Sequence, residues 1–183
     1  MIEIEIKIRV ADIEDVKPQL RKLGWRVSVR REIERNFVYD RPDDSLFASA
    51  RLLRVRQVGK RGWLTVKGPP QKGVVHKVRP EYEIETADPS VLVNMVETLG
   101  FVLKWRYEKF RTTYRRAEEN GKILLDETPI GNFVELEGSP AWIDATATKL
   151  GFDRSKYVQD SYRELFIKYR RTLPNPPEHM VFA

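Results

Sequence analysis

The chain has 183 residues, with 33 Lys and Arg against 27 Asp and Glu, two His, no Cys and a formal net charge of +6. That length suits one domain able to bury a core of its own, and the lack of Cys excludes disulfide frameworks, thiolate metal sites and cysteine nucleophiles. No apolar run is long enough to cross a membrane and no signal-like segment opens the chain, so a cytoplasmic protein is expected. Charged residues make up 33 %, well above the roughly 25 % of an average globular chain. With 41 % hydrophobic content and 4 Trp, 7 Tyr and 8 Phe, that excess does not read as disorder. Acids and bases alternate along the chain instead of gathering in a basic block, which gives no footing for a specific nucleic-acid partner.

The opening segment places Ile2, Ile4, Ile6, Ile8 and Val10 at even positions and Glu3, Glu5, Lys7 and Arg9 at odd ones. This period of two predicts a half-buried strand with one apolar and one ionic face. Ile13, Val16, Leu20 and Leu23 then recur at helical spacing before Gly24, with Pro18 forcing a late start or a kink. Strand alternation returns at Leu53 and Val55 against Arg54 and Arg56, and at Leu64 and Val66 against Thr65 and Lys67. It recurs at Tyr82 and Ile84 against Glu81, Glu83 and Glu85. Asp88-Pro89 caps a helix carrying Val91, Leu92, Met95, Val96 and Leu99 and ending at Gly100. Lys109 and Arg111 alternate with Glu108 and Phe110, and Val134 and Leu136 with Phe133, Glu135 and Glu137. Ser139-Pro140 caps a second helix ending at Gly151, and a last helix is expected near Ser161 to Tyr169. We expect one domain over residues 1–169 and an irregular or mobile tail over 170–183, where Pro174, Pro176 and Pro177 fall.

Strands mixed with a few helices predict an α+β domain. An open antiparallel sheet with solvated ionic faces is one arrangement. Against it, these faces carry almost only Glu, Arg and Lys, and the sign is sorted by strand. Arg54, Arg56, Lys67, Lys109 and Arg111 are basic, whereas Glu81, Glu83, Glu85, Glu135 and Glu137 are acidic. A closed barrel of about eight strands would enclose a lumen with one basic and one acidic wall. Guanidiniums fork onto phosphate oxygens, and carboxylates hold hard cations such as Mg²⁺ or Mn²⁺, so such a lumen suits a polyphosphate with divalent metal.

Several segments, in order, carry a family pattern. Glu3-Ile4-Glu5-Ile6-Lys7 resembles an E-x-E-x-K signature, and Asn36 to Asp43 followed by Leu46 resembles the strand and turn after it. Leu53-Arg54-Val55-Arg56 resembles L-R-x-R, and Leu64-Thr65-Val66-Lys67-Gly68 resembles L-T-x-K-G. Arg79-x-Glu81-x-Glu83, Lys109-Phe110-Arg111, and Asp126 with Gly131, Phe133, Glu135 and Glu137 complete the set. Together these resemble the CYTH superfamily, the triphosphate tunnel metalloenzymes, over residues 3–169. The resemblance implies an α+β fold in which a closed eight-stranded antiparallel barrel forms a tunnel, with helices packed on its outside. It implies a small triphosphate substrate and Mg²⁺ or Mn²⁺ as cofactor. Glu3, Glu5 and Lys7 are the implied catalytic residues. Lys7, Arg54, Arg56, Lys67, Arg79, Lys109 and Arg111 are the implied phosphate grips. Glu3, Glu5, Glu135 and Glu137 are the implied metal ligands, with Glu81, Glu83 and Asp126 as further carboxylates for that role.

The resemblance leaves three activities open. Hydrolysis of tripolyphosphate, thiamine triphosphate or a nucleoside triphosphate stands first, because it needs only the tunnel. Class IV adenylate cyclase chemistry, forming cyclic AMP and pyrophosphate, stands second; a non-catalytic polyphosphate-binding module is third, and four carboxylates beside the ligand argue against it. Either a monomer or a homodimer is compatible. Gly59-Lys60-Arg61-Gly62 lacks P-loop spacing and reads as a hairpin turn. His76 is expected on a loop over a tunnel mouth, and Trp63 as turn packing, with stacking on a substrate ring as the alternative.

Overall fold

A computed structural model describes residues 1–183. The elements are β1 (Ile2–Val10), α1 (Val16–Lys22), β2 (Arg26–Asp40), α2 (Ser45–Ala48), β3 (Leu52–Val58), β4 (Arg61–Lys67) and β5 (Lys77–Thr86). After them come α3 (Pro89–Thr98), β6 (Val102–Arg115), β7 (Lys122–Thr128), β8 (Gly131–Glu137), α4 (Pro140–Lys149), β9 (Tyr157–Val158) and α5 (Tyr162–Arg170). No helix is long and apolar enough to cross a membrane.

The first eight strands form an antiparallel ring in the order β1-β5-β4-β3-β2-β6-β7-β8, closed because Ile2–Glu5 of β1 pair with Lys77–Pro80 of β5. The open-sheet arrangement is therefore excluded. Short β9 adds to the same edge of β1 at Lys7 and Ile8, beyond the β5 contact. Because side chains alternate across each strand, the apolar sets face outward and the ionic sets face the lumen.

Three helices cover the outward apolar faces. Ile6 and Ile8 of β1, Ile123 and Leu125 of β7, and Val134 and Leu136 of β8 are all buried against α1 and α4, with Leu20 and Ile143 as the helix contributions. Each such side chain is worth roughly 1.5–3 kcal/mol of burial, so this layer fixes which face of β1 and β8 looks inward. On the other side, α3 lays Leu92 and Val96 on Leu53 and Val55 of β3. Pro18 is accommodated by the late start, since it falls in the first turn of α1, where its missing N–H is an orphan in any case. Asp88 and Ser139 both accept the expected capping bonds. Trp142 of α4 lies against Gly121 and Gly138, where a Cβ on either would run into its ring. That contact clamps α4 to the ends of β7 and β8 from which Lys122 and Glu137 emerge.

Two parts of the fold differ from the sequence expectation. Helix α5 does not lie outside the barrel. Its Tyr162 and Phe166 pack with Trp105, Tyr107 and Phe133, residues on the inward faces of β6 and β8, so α5 sits across one end of the lumen. The tail holds no regular element past α5, yet it is docked on β6. Met180 is fully buried, its N–H donates to the Arg106 carbonyl, and its carbonyl accepts from the Glu108 N–H. Phe182 packs on Phe110 at 5.0 Å between ring centroids.

Candidate active site

The barrel encloses a cavity of about 800 Å³, lined mainly by the ionic faces of β1, β3, β5, β6 and β8. Every predicted site residue except Glu83 has its side chain mostly buried there or at its wall; Glu83 sits at the rim, its side chain 30 % exposed. The two-wall picture needs correction. Opposite charges interleave around the ring, because Glu34 of β2 stands between the basic strands β3 and β6, and β5 carries Lys77 and Arg79 as well as Glu81 and Glu83.

The carboxylates divide by partner. Asp126, which has no exposed surface, takes the Arg111 guanidinium in a fork with both bonds at 2.6 Å, and also Lys109 at 2.9 Å. Glu135 is held by Lys7 at 3.2 Å and by Arg111. Glu34 faces Arg56 at 3.6 Å and Lys109 at 3.5 Å, and Glu83 faces Arg56 at 2.9 Å and accepts from the Thr65 hydroxyl at 2.6 Å. In the other group only lysines are partners. Glu3 pairs with Lys67 at 2.6 Å, and Glu81 shares that ammonium at 3.3 Å. Glu5 pairs with Lys7 at 3.0 Å and Lys77 at 3.4 Å, while Glu137 pairs with Lys122 at 2.9 Å.

This division matters chemically. A planar guanidinium fork locks a carboxylate in place, whereas an ammonium on a flexible stem is a point charge that another cation can replace. Glu5 and Glu137 lie directly opposite in the β1–β8 ladder, with Glu3 two residues along the same face. Facing carboxylates repel unless a cation joins them. Burial raises the Glu3 carboxyl above its usual range, and the Glu5 charge adds to this. For Glu5 itself burial acts the same way, but Lys7 and Lys77 outweigh it and hold the group low. Glu34 is likewise buried, yet Lys109, Arg111 and Arg56 bring it down to about 2. No three acidic groups or histidines converge on one point in this arrangement, since the lysines stand between them. The donor set nonetheless fits a hard divalent cation: Glu3, Glu5, Glu81 and Glu137 offer carboxylate oxygens whose ion-pair partners are all lysine ammoniums.

The cations divide as well. Arg111 spends its fork on Asp126 and Glu135. Arg79 donates to the carbonyls of Gly68 and Ala50, at 2.9 and 3.3 Å, and so ties the wall together at the cavity edge. Arg54 donates to Tyr107 and Thr65 hydroxyls at 3.0 and 3.1 Å, and Arg56 to Glu83. The Nε atoms of both, with Glu34 Oε2 and Asn36 Oδ1, are buried without a hydrogen-bond partner. These atoms belong to adjacent strands, Asn36 being opposite Arg56.

Sequence reasoning missed Glu34, Lys77, Lys122, Tyr107 and Tyr162. Alternation could have found Lys77, two residues before Arg79, Glu34, two before Asn36, and Lys122, four before Asp126. His76 turns away from the lumen: its ring meets Asp144 of α4 at 2.9 Å, where Tyr157 and Arg154 also bind. Trp63 is flanked by Arg56 and Arg61, at 5.0 and 5.1 Å from its ring, as part of the β4 wall.

A CYTH-domain family profile matches residues 1–162. The chain belongs to the CYTH family. A relative from Methanocaldococcus jannaschii, carrying the name "putative adenylate cyclase", is 29 % identical over 139 residues, or 76 % of this chain and 78 % of that protein. Among solved structures, a protein of Vibrio parahaemolyticus with the same designation superposes with a TM-score of 0.80 at 19 % identity, covering 91 % of this chain and 98 % of that one. A "putative adenylyl cyclase" from Hippeastrum, described as having a dominant triphosphatase activity, gives 0.68 at 18 % identity, covering 94 % and 98 %. At these identities the two structures show a shared fold.

Proposed function

We propose that the protein hydrolyses a phosphoanhydride of a small triphosphate in its lumen with the help of Mg²⁺ or Mn²⁺. The observation that carries this reading is the single cavity of about 800 Å³ that Arg54, Arg56, Lys7 and Lys109 line together with Glu3, Glu5, Glu81 and Glu137. Phosphoryl transfer asks mainly for positioning and charge neutralisation, which suits a site with no Cys and no inward His. Arg54 and Arg56, one strand repeat apart, grip adjacent phosphates, and Lys109 and Lys7 add ammoniums deeper in the lumen. Glu3, Glu5 and Glu137, with Glu81 beside them, are the residues that would hold the metal. When bound, the metal would neutralise phosphate oxygens and lower the pKa of an attacking water. Lys67, Lys77 and Lys122, whose partners are those carboxylates, then become available to the phosphates. Asp126 and Glu135 act here as anchors for the basic side chains.

The triphosphatase activity ascribed to the Hippeastrum protein supports hydrolysis, and the name of the archaeal relative supports cyclase chemistry as the second reading. A product assay separates them. Tripolyphosphate, thiamine triphosphate and ATP are incubated with Mg²⁺ or Mn²⁺, and orthophosphate, pyrophosphate and cyclic AMP are resolved. Orthophosphate release from any of the three supports the proposal. Cyclic AMP with pyrophosphate from ATP establishes the cyclase instead, and binding without any product leaves a polyphosphate-binding module.

A further inference from the structure

We propose that Tyr162 is a positioning residue for the phosphate grips, acting through Asp126 on Lys109 and Arg111 and through its ring on Lys7. This rests on the triphosphatase reading above. Tyr162 opens α5, whose start is pinned by the reciprocal Ser161–Glu164 capping bonds and by Phe166 buried in the aromatic cluster. From there its side chain enters the lumen, and its hydroxyl donates to Asp126 Oδ2 at 2.7 Å.

A carboxylate offers about four lone-pair sites. Arg111 takes one on each Asp126 oxygen, and Lys109 and Tyr162 share what remains of Oδ2. The hydroxyl thus limits the claim that Lys109 has on Asp126. With it, the ammonium stays between Asp126 at 2.9 Å and Glu34 at 3.5 Å, a position from which it also faces the cavity. Without it, Asp126 has one donor fewer, and Lys109 settles onto the vacated lone pair. The ring has a second effect. Lys7 Nζ stands 5.3 Å and Lys109 Nζ 5.1 Å from its centroid, both within reach of a cation–π attraction. These ammoniums come from β1 and β6, which are not neighbours in the barrel. One side chain therefore registers two phosphate grips from separate parts of the wall against α5. Burial, and then the Asp126 charge, keep the phenol protonated well above its ordinary range, so it serves as a donor.

The test compares Tyr162→Phe, which keeps the ring and removes the hydroxyl, with Tyr162→Leu, which removes both effects. Steady-state hydrolysis of tripolyphosphate with Mg²⁺ and thermal melting by circular dichroism are measured on each. For Tyr162→Phe we expect KM to rise about five- to tenfold with kcat within about twofold, the pattern of lost binding shared by ground and transition states. Tyr162→Leu should raise KM further. A purely structural role would lower the melting temperature and leave KM in place, and that result overturns the inference. A fall in kcat at constant KM also overturns it, because the hydroxyl would then belong to the reacting atoms. Tyr162→Phe differs from the native side chain by one oxygen atom, so it decides the matter even if Tyr162→Leu does not fold. Wild-type protein that cleaves no triphosphate removes the triphosphatase reading together with this one; wild-type turnover with an unchanged KM in Tyr162→Phe removes this one alone.

Discussion

Replacing Arg54 by lysine keeps the charge and removes the fork, which makes it a direct probe of geometry in the lumen. The Arg54 side chain is 10 % exposed and its three nitrogens have different fates: one donates to Tyr107, one to Thr65, and Nε has no partner. A lysine ammonium can reach only part of this set. Thr65 keeps its bond to Glu83, and the Tyr107 hydroxyl can turn, so the stability cost falls at the lower end of a lost buried hydrogen bond, about 1 kcal/mol. For a chain of this size that lowers the melting temperature by roughly 2–4 °C. Loss of a charge-assisted fork onto phosphate costs more, about 1.5–3 kcal/mol, or roughly 10- to 150-fold in kcat/KM. Steady-state tripolyphosphate hydrolysis and a melting curve on the same preparation separate the two effects. A kcat/KM within twofold of wild type would refute the reasoning, since Arg54 would then contact no substrate.

Glu5→Gln should lose at least about 100-fold in kcat at saturating Mg²⁺, and excess EDTA should silence the wild type until Mg²⁺ or Mn²⁺ is restored, as followed by phosphate release. Glu34, whose folded pKa of about 2 lies below an unfolded value near 4.3, contributes stability that is present above about pH 4 and lost as pH falls through 2. Glu34→Gln should therefore be less stable than wild type by up to about 3 kcal/mol at pH 6, with the gap closing toward pH 2 in urea titrations. Met180→Ala opens a cavity at a fully buried position in the tail and should cost about 2–5 kcal/mol, read as a fall of roughly 4–20 °C in melting temperature. A tail without a structural role would leave that melt unchanged.

Much of the barrel was legible because its design has period two. The nine residues of β1 fall wholly on alternation, and their inward set is the ionic one. Helices α3 and α4 were legible from Asp88-Pro89 and Ser139-Pro140, where a capping oxygen precedes a residue with φ already helical. Strand β2 was legible only near Asn36, because register shifts after Val27, Val29 and Val38 interrupt its alternation over 15 residues. Between Glu32 and Val38 the register is continuous, so Glu34, two residues before Asn36, was within reach of the same alternation. The role of α5 was hidden for a different reason. Its apolar spacing shows that one face is buried, but periodicity is silent on whether the partner is an outer wall or the end of the lumen. The tail met the same limit: Met180 is a single apolar residue whose burial depends on the free edge of β6 between Arg106 and Glu108. The division of carboxylates between arginine and lysine partners was beyond sequence too, since it depends on pairings across strands distant in the chain.

Ligand-dependent melting tests the central claim, a closed ionic lumen that takes a triphosphate, without needing turnover. A ligand that binds only the folded chain adds about 2.7 kcal/mol of stability at 100 times its Kd. In a chain of this size that is a rise of roughly 5–11 °C. Tripolyphosphate with Ca²⁺, a cation chosen to support binding with little turnover, should produce a shift of this order, and orthophosphate at the same concentration far less. Equal shifts from both anions, or none from either at millimolar concentration, would contradict the account.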